Sequence, residues 1–414
     1  MTADVHGGVV VAQLGARRHY AVPQALHARG LLYRLYTDNY FFESRMRQWV
    51  VAAGRQFGVG ALSRAAGRHA SGLPDATVRA FQLFGMAYRL RASLARTATL
   101  RTANWIWGGR RFCEMVAEEV SPDSKVVYAF SSAAKELFER SREIGATSCL
   151  DHATAPRRSE MSLVSEEWER FPGWELNREA DGCIEDYQRR QSEELSLADR
   201  IICASSFARD MVLKEGVDAA RIRVVPLGYA PPESRVRSGD KSKSGELRVL
   251  FVGGDGLRKG IGYLAHALER LKSRSVVARV AGDLEVSEQA IVRLRQSMKL
   301  LGPVPRREAR ALFEWADVLV LPSVSDTFGL VVLEAMAAGV PVIASRNTCG
   351  PDVIREGVDG FVVPIRDPEA IASRLETLAI DRRLLSEMSR NAVIGAAQFS
   401  LESYGDRLVA AIPR

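Results

Sequence analysis

Short apolar runs alternate with longer amphipathic stretches along most of this chain. In the first half, the apolar runs predict strands at about 9–14, 32–37, 125–130, 147–152, 200–204 and 223–227. In the second half, they predict strands at about 249–252, 276–281, 318–321, 340–344 and 361–363. Strands that alternate with helical patterns are typical of parallel α/β sheets. The pattern therefore predicts an α/β fold with two Rossmann-like domains that face each other across a central cleft.

A change in composition marks the boundary between these domains. Residues 231–245 are rich in proline, serine, glycine and charge and have no apolar period, which is typical of a linker. We therefore expect four parts: an N-terminal acceptor-binding domain (1–228), a linker (229–247), a C-terminal nucleotide-sugar-binding domain (248–395) and a C-terminal helix that crosses back to the first domain (396–414). The charged stretch 160–180 has no clean period and predicts an irregular loop.

Positive charge is concentrated in the first domain. The net charge is +7, and between Arg45 and Cys113 there are twelve arginines, one aspartate and neither lysine nor glutamate. We expect a basic helical insertion at about 43–119. Its helices are predicted to break at Gly58, Gly60, 72–74 and 108–109. Aromatic residues interleave with the arginines, namely Trp49, Phe57, Phe81, Phe84, Tyr88, Trp105 and Trp107.

Two interpretations of this insertion remain open. Basic helices with aromatic residues are typical of elements that contact an anionic membrane. Solvated arginines above an ordinary core would give the same composition. Nucleic-acid binding is not expected, because zinc-finger and RNA-recognition signatures are missing.

Several classes of protein are excluded by simple counts. The five cysteines are scattered and have no CxxC spacing, so neither a cysteine metal site nor a disulfide framework is expected. No apolar run approaches the roughly 18 residues that cross a bilayer. The N-terminus lacks the basic start and apolar stretch of a secretory signal. We expect a cytoplasmic protein, with a peripheral position at the inner face of the membrane as a further hypothesis.

The first candidate for chemistry is the loop 251–260, with the sequence FVGGDGLRKG. Glycines let a backbone approach a ligand, and the following helix can offer N–H groups to a phosphate. A Walker A loop is excluded because Ile261 follows Lys-Gly, and a dinucleotide fingerprint is excluded because Lys259 replaces its glycine. A phosphate site with Arg258 and Lys259, or a plain turn with exposed cations, fits the loop equally well.

The second candidate extends from Leu321 to Val342. An apolar strand is followed by a polar loop with Asp326, and then by a helix that is expected to begin near 328–329. The N-terminus of such a helix can hold an anion. Glu334 would lie about two turns into this otherwise apolar helix, where a carboxylate is costly unless it is hydrogen-bonded. Sugar hydroxyls are suitable donors, and a glutamate satisfied by protein groups is the alternative.

This segment resembles the donor-binding motif of family 4 glycosyltransferases, the glycosyl transferases group 1, which are retaining enzymes with the GT-B fold. That motif pairs two acidic residues separated by seven others, as Asp326 and Glu334 are. The resemblance also covers other segments of the second half, at 280–283, 301–304, 316–323, 360–364 and 367–368. In the first half it is looser, and rests on strand order and on residues 221–228.

The resemblance implies a role for each matching residue. Arg258 and Lys259 would bind the donor diphosphate, Glu334 the ribose hydroxyls and Asp326 the transferred sugar. The loop residues Thr327, Phe328, Gly329 and Leu330 would complete the donor site, with the last three placing their backbone on the phosphates. In the second half, the chain departs from the family at two positions, with Asp326 in place of glutamate and Gly254 in place of arginine.

In the first half, Gly15 matches the glycine loop that lies under the donor. His152 stands at a strand end where the family often has a histidine that contacts the sugar, although an ordinary loop histidine is nearly as good an interpretation. The expected catalytic residues are thus Asp326, His152 and Lys259.

The implied activity is transfer of a sugar from a UDP- or GDP-sugar to a saccharide or lipid-linked acceptor, in synthesis of cell-surface polysaccharide or glycolipid. Retention of configuration would follow from same-face attack, and no metal or other cofactor is expected. Two alternatives stay open, a sugar-nucleotide epimerase of the same fold and a non-catalytic scaffold with a degenerate donor site.

Overall fold

The computed structural model describes residues 8–42, 68–70, 72–152, 154–176, 179–230, 245–271 and 276–413, except the side chains of 306 and 307. Most of the predicted linker (231–244) and the part of the basic insertion at 43–67 lie outside the described residues, as do the predicted breaks at Gly58 and Gly60.

The first domain is built on a parallel seven-stranded sheet with the order β3-β2-β1-β4-β5-β6-β7. Its strands are β1 (Val9–Gln13), β2 (Leu32–Thr37), β3 (Val78–Ala80), β4 (Val126–Phe130), β5 (Thr147–His152), β6 (Arg200–Cys203) and β7 (Ile222–Val224). Apolar clusters cover both faces of this sheet, as the near-continuous apolar strands require.

The second domain contains a parallel six-stranded sheet with the order β10-β9-β8-β11-β12-β13. Its strands are β8 (Leu247–Val252), β9 (Val276–Ala281), β10 (Lys299–Leu300), β11 (Val318–Leu321), β12 (Val342–Ser345) and β13 (Gly360–Val363). Two further apolar clusters cover its faces. The predicted α/β class, with two parallel Rossmann-like sheets, is therefore confirmed.

Helices flank both sheets. Those of the first half are α1 (Ala21–His27), α2 (Gln82–Leu94), α3 (Ala98–Glu119), α4 (Lys135–Glu143), α5 (Arg157–Arg170), α6 (Ile184–Leu197) and α7 (Ser206–Leu213). Those of the second half are α8 (Ile261–Arg270), α9 (Glu288–Leu294), α10 (Arg306–Trp315), α11 (Val331–Ala337), α12 (Gly350–Val353), α13 (Pro368–Ile380), α14 (Arg382–Ala397) and α15 (Leu401–Ala411).

The chain passes between the domains more than once. The last helix, α15, packs on α1 of the first domain, and Arg29 of that region pairs with Asp406 at 2.7 Å. Near the return point, the N–H of Tyr229 donates to the carbonyl of Phe399 at 2.8 Å. The chain before the linker and the chain before α15 therefore run side by side where they pass between the domains. Through the second of these connections, the first domain receives a helix from the C-terminal part of the sequence.

Two local predictions were wrong. Residues 160–180 were expected to be irregular, but α5 occupies 157–170 and ends against the second domain. A break was expected at 108–109, but α3 is continuous through both glycines. There the missing side chains permit close packing, since a Cβ on Gly108 would overlap the ring of Tyr88 and one on Gly109 would overlap the carbonyl oxygen of Ser132.

Candidate active site

Two loops at the carboxyl edge of the second sheet are fastened together. One connects β8 to α8, and the other connects β11 to α11. The carbonyl of Arg258 accepts the N–H of Val324 at 2.9 Å, and the Arg258 guanidinium donates to the carbonyl of Ser325 at 2.8 Å. Gly260 has φ +76°, and a Cβ there would overlap the carbonyl oxygen of Pro322. The sequence can bring the loops this close only with glycine at position 260.

The fastened loops bring Lys259 and Asp326 into direct contact. The Lys259 ammonium pairs with Oδ2 of Asp326, and both side chains are largely buried. The N–H of Asp326 donates to the carbonyl of Asn347 at 3.0 Å, which fixes the backbone under the carboxylate. Gly329 has φ +73°, and a Cβ there would lie 2.8 Å from Asp326 Oδ2. The structure thus joins two residues that are 67 positions apart in the sequence.

Arg258 lies beside this pair in an acidic environment. Its Nε donates to Asp255 at 2.5 Å, and Glu160 of α5 lies 4.0 Å from Nη1. Burial alone would lower the pKa of Arg258, but the charges of Asp255, Glu160 and Asp326 outweigh it and raise the pKa. The site therefore places the basic side chains of Arg258 and Lys259 next to the Asp326 carboxylate. No sequence pattern points to Glu160, because it lies in the other half of the chain.

Glu334 lies closer to the start of its helix than the sequence predicted. α11 begins at Val331 rather than near 328–329, so Glu334 falls in the first turn. The residues on either side of it, Leu333 and Ala335, are fully buried, and the Glu334 side chain is half-buried. Phe328, just before the helix, is buried, whereas Leu330 is exposed.

On the first domain, Gly15 lies in a tightly held turn after β1. Gly15 has φ +83°, and its N–H donates to Asp38 Oδ1 at 2.9 Å. Asp38 is buried and also pairs with Arg68 at 2.6 Å. Burial alone would raise the pKa of Asp38, but the charge and hydrogen bond of Arg68 outweigh it and lower the pKa. Sequence reasoning missed Asp38, which fixes the Gly15 turn from the end of the neighbouring strand.

The turn continues into three non-glycine residues with positive φ, namely Arg18 (49°), His19 (50°) and Tyr20 (63°). Such a conformation costs free energy and persists only where surrounding contacts impose it. Arg18 supplies one such contact, a bidentate ion pair with buried Asp151 at 2.9 Å for both bonds. No sequence pattern indicates this ion pair, because Arg18 and Asp151 are 133 positions apart.

His152 ends β5 at the same edge of the first sheet. Burial lowers its pKa to about 4, so the imidazole is neutral at neutral pH. Nδ1 contacts the carbonyl of Thr154, which assigns the proton to Nδ1. Nε2 is buried and has no hydrogen-bond partner among the described residues. It is therefore an acceptor that a ligand hydroxyl can satisfy.

Hydrogen bonds across the cleft join the chain just after β6 of the first domain to two segments of the second domain. Ser205, just after β6, donates to the carbonyl of Thr327 at 2.5 Å, and the N–H of Ser206 donates to Asp352 at 2.8 Å. Because His152 pairs in register with Cys203 of β6, it lies one strand away from this junction. The predicted residues of the two halves thus lie along facing carboxyl edges, where ligands of such sheets bind.

The described residues contain no group of three or more His, Cys, Asp or Glu side chains placed to hold a metal ion. None of the helices within the described ranges is both long and apolar enough to cross a bilayer.

Comparison with known proteins gives a family match within the second domain. Residues 246–381 match the model of the family described as glycosyl transferases group 1. D-inositol 3-phosphate glycosyltransferase from Corynebacterium jeikeium is 29% identical over 261 residues, which are 56% of this chain. The match spans 62% of that relative's own length.

Solved structures share the fold at low identity. Sucrose-phosphate synthase from Thermosynechococcus elongatus gives a TM-score of 0.65 over 98% of both chains, at 16% identity. HepE from Anabaena in complex with UDP gives 0.60 over 97% of this chain and 98% of its own, also at 16% identity. These matches confirm the expected GT-B arrangement. Residues 246–381 of the second domain are therefore similar to the glycosyl transferases group 1 family.

Proposed function

We propose that this protein is a retaining glycosyltransferase that moves a sugar from a nucleoside-diphosphate sugar to a saccharide or lipid-linked acceptor. The pathway that fits this activity is synthesis of cell-surface polysaccharide or glycolipid. The observation that carries the proposal is the Lys259–Asp326 pair, held over a glycine loop in the domain that matches the family. The solved HepE complexes contain UDP and UDP-glucose, which supports a UDP-sugar as the first donor to test, ahead of a GDP-sugar.

The charges at the site suit departure of a diphosphate. As the bond from sugar to phosphate breaks, negative charge grows on the leaving oxygens, and fixed cations nearby stabilise it. Arg258 and Lys259 are such cations, because the hydrogen bonds of Arg258 and the Lys259–Asp326 pair hold both side chains against the β11–α11 loop. We therefore expect turnover without added divalent metal, and turnover that persists in excess chelator.

The groups around the transferred sugar suit attack from the side of the leaving group. Asp326 would accept hydrogen bonds from sugar hydroxyls, and neutral His152 would accept another through Nε2. Glu334 would bind the ribose. In this route the departing phosphate takes the acceptor proton, so the product keeps the anomeric configuration of the donor. The coupling constant of the anomeric proton in the product distinguishes retention from inversion.

Substitutions at the charged pair test the assignment directly. Asp326→Asn and Lys259→Ala should each reduce turnover of a UDP-sugar at least about 100-fold, as loss of a group that stabilises a transition state does. Glu369→Gln and Lys299→Ala are matched controls in the same domain. Glu369 is an exposed carboxylate paired with Arg270, and Lys299 is an exposed lysine on β10. Both controls should keep the wild-type rate.

Each contrary result supports a particular alternative. Wild-type rates in Asp326→Asn or Lys259→Ala would exclude the proposed site. Conversion of the donor sugar to its epimer without an acceptor would identify an epimerase. If no UDP-, GDP-, ADP- or TDP-sugar raised the melting temperature, the scaffold interpretation would be favoured, because a ligand that binds the folded state stabilises it.

A further inference from the structure

One helix of the first domain exposes an apolar face to solvent. Leu83, Met86, Leu90 and Leu94 of α2 are 83%, 63%, 63% and 67% exposed. With 3.6 residues per turn, these positions fall within about 80° of one another around the helix axis. They form one continuous surface, which we call the apolar stripe. Single exposed leucines are common on proteins, but four in line mark an interaction site.

The opposite face of α2 is firmly attached to the domain. Phe84 is buried and packs against Trp107 and Phe112 of α3, with ring centroids 5.7 and 6.2 Å apart. Gly85 fits so closely against Asn39 that a Cβ there would overlap its side chain. The apolar stripe therefore cannot turn inward without dismantling this packing. It also differs from the aromatic residues that the sequence suggested for a membrane contact, since Phe84 and Trp107 face the core.

Positive charge borders the apolar stripe. Arg89 and Arg91 are exposed and lie about 60° beyond its two edges. Arg96 is exposed just after the helix, and α2 itself contains no aspartate or glutamate. An apolar strip between arginines matches an anionic bilayer surface, because aliphatic side chains enter the acyl boundary while guanidinium groups meet lipid phosphates.

The start of α2 lies beside the cleft. Gln82 Nε2 donates to the carbonyl of Tyr40 at 2.6 Å, two residues from the Asp38 carboxylate that holds the Gly15 turn. A surface that docked on the apolar stripe would therefore adjoin the acceptor side of the cleft.

We propose that the apolar stripe of α2, with its bordering arginines, docks this protein on an anionic lipid bilayer. The docking does not depend on the reaction proposed above, because it involves only the outer face of the first domain.

The test is co-sedimentation of the full chain with lipid vesicles. Wild-type protein should bind vesicles of phosphatidylcholine with about one third phosphatidylglycerol, and bind pure phosphatidylcholine vesicles weakly. Raising the salt concentration should weaken the binding. The triple variant Leu83→Gln/Leu90→Gln/Leu94→Gln should bind the anionic vesicles at least about tenfold less tightly, since three leucines no longer enter the lipid.

A matched triple variant controls for exposed apolar area as such. Ile380→Gln/Ile394→Gln/Leu401→Gln changes three exposed apolar residues on α13, α14 and α15, and Ile380 is 83% exposed, as Leu83 is. It should bind like the wild type. Both variants should keep the wild-type melting temperature and the wild-type stabilisation by nucleotide sugar, so that a failure of the proposed reaction is recognised separately.

Three results would overturn the proposal. Equal vesicle binding by the wild type and the α2 variant would show that the apolar stripe does not meet lipid. A change from dimer to monomer in the α2 variant, measured by sedimentation velocity, would assign the surface to a second copy. A large fall in its melting temperature would show that the chain itself covers the apolar stripe.

Discussion

At the scale of single residues, the first domain contains two buried groups whose pKa values are shifted in opposite senses. Burial lowers the pKa of His152 from 6.5 to about 4. Burial raises the pKa of Glu194 from 4.5 to about 7, although Arg190 and the N–H groups of Ser132 and Ala134 oppose the rise. His152 ends β5, whereas Glu194 binds the turn after β4, so both shifts arise near the cleft.

These shifts have opposite effects on stability. Between pH 4.5 and 6.5, the unfolded chain binds more protons at His152 than the folded chain does, so this group makes stability rise with pH. The folded chain binds more protons at Glu194 than the unfolded chain does, so this group makes stability fall as pH rises. Each contributes at most about 1.4 kcal/mol per pH unit.

We therefore expect variants at these two residues to change the slope of stability against pH in opposite directions. His152→Gln should remove the contribution that makes stability rise with pH. Glu194→Gln should remove the contribution that makes stability fall with pH. Urea unfolding across this pH window measures each slope, and a constant loss of stability from either substitution does not affect it. If both variants kept the slope of the wild type, burial would not shift these pKa values as argued.

At the scale of secondary-structure elements, α5 and the residues after it show where sequence patterns become insufficient. Long apolar strands were predictable because a parallel sheet buries both faces of each strand. The three-residue β3 and the two-residue β10 were missed, because so few residues have no detectable period. α5 was missed because its apolar residues pack against two different domains, so they do not form a single apolar face. Leu163 contacts a small first-domain cluster and the core of the second domain.

In the candidate site, too, residues in local motifs were predictable from the sequence, whereas residues that act through long-range contacts were not. The spacing of Asp326 and Glu334 and the glycine loop with Lys259 were recognisable, because each is local in sequence. Asp38, Glu160 and Ser205 were not recognisable, because their roles depend on contacts between distant segments.

The segment after α5 should be a structural anchor of the second domain. Phe171 is buried in that domain's core, with its ring 5.1 Å from Tyr263 and 5.0 Å from Trp174. Phe171→Ala should lower the free energy of unfolding by about 3–5 kcal/mol, as expected when a large buried ring is removed. Phe42→Ala, which truncates a phenylalanine that is exposed on the first domain, should cost less than that. Equal losses in urea unfolding would contradict the anchoring role.

At the scale of the whole molecule, the C-terminal helix is joined to the cleft. Tyr404 of α15 is buried in the first-domain core, and its hydroxyl accepts a hydrogen bond from Arg18 at 3.3 Å. Arg18 belongs to the strained turn that follows Gly15, and its ion pair with Asp151 holds that turn in place. Tyr404 thus supports the loop that forms the first-domain side of the cleft.

This arrangement predicts that a substitution in α15 slows turnover without weakening donor binding. Tyr404→Phe removes one hydrogen bond, so it should cost about 1 kcal/mol of stability, while turnover falls several-fold because Arg18 loses part of its support. The donor dissociation constant should not change, because the proposed donor-binding residues lie in the second domain, apart from Gly15, which Asp38 holds independently of Tyr404. Leu408→Ala is the control, since Leu408 is fully buried in the same helix and contributes packing only. It should cost about 2–5 kcal/mol of stability but keep wild-type turnover below its melting temperature. If Tyr404→Phe also kept wild-type turnover, α15 would stabilise the first domain without influencing the turn.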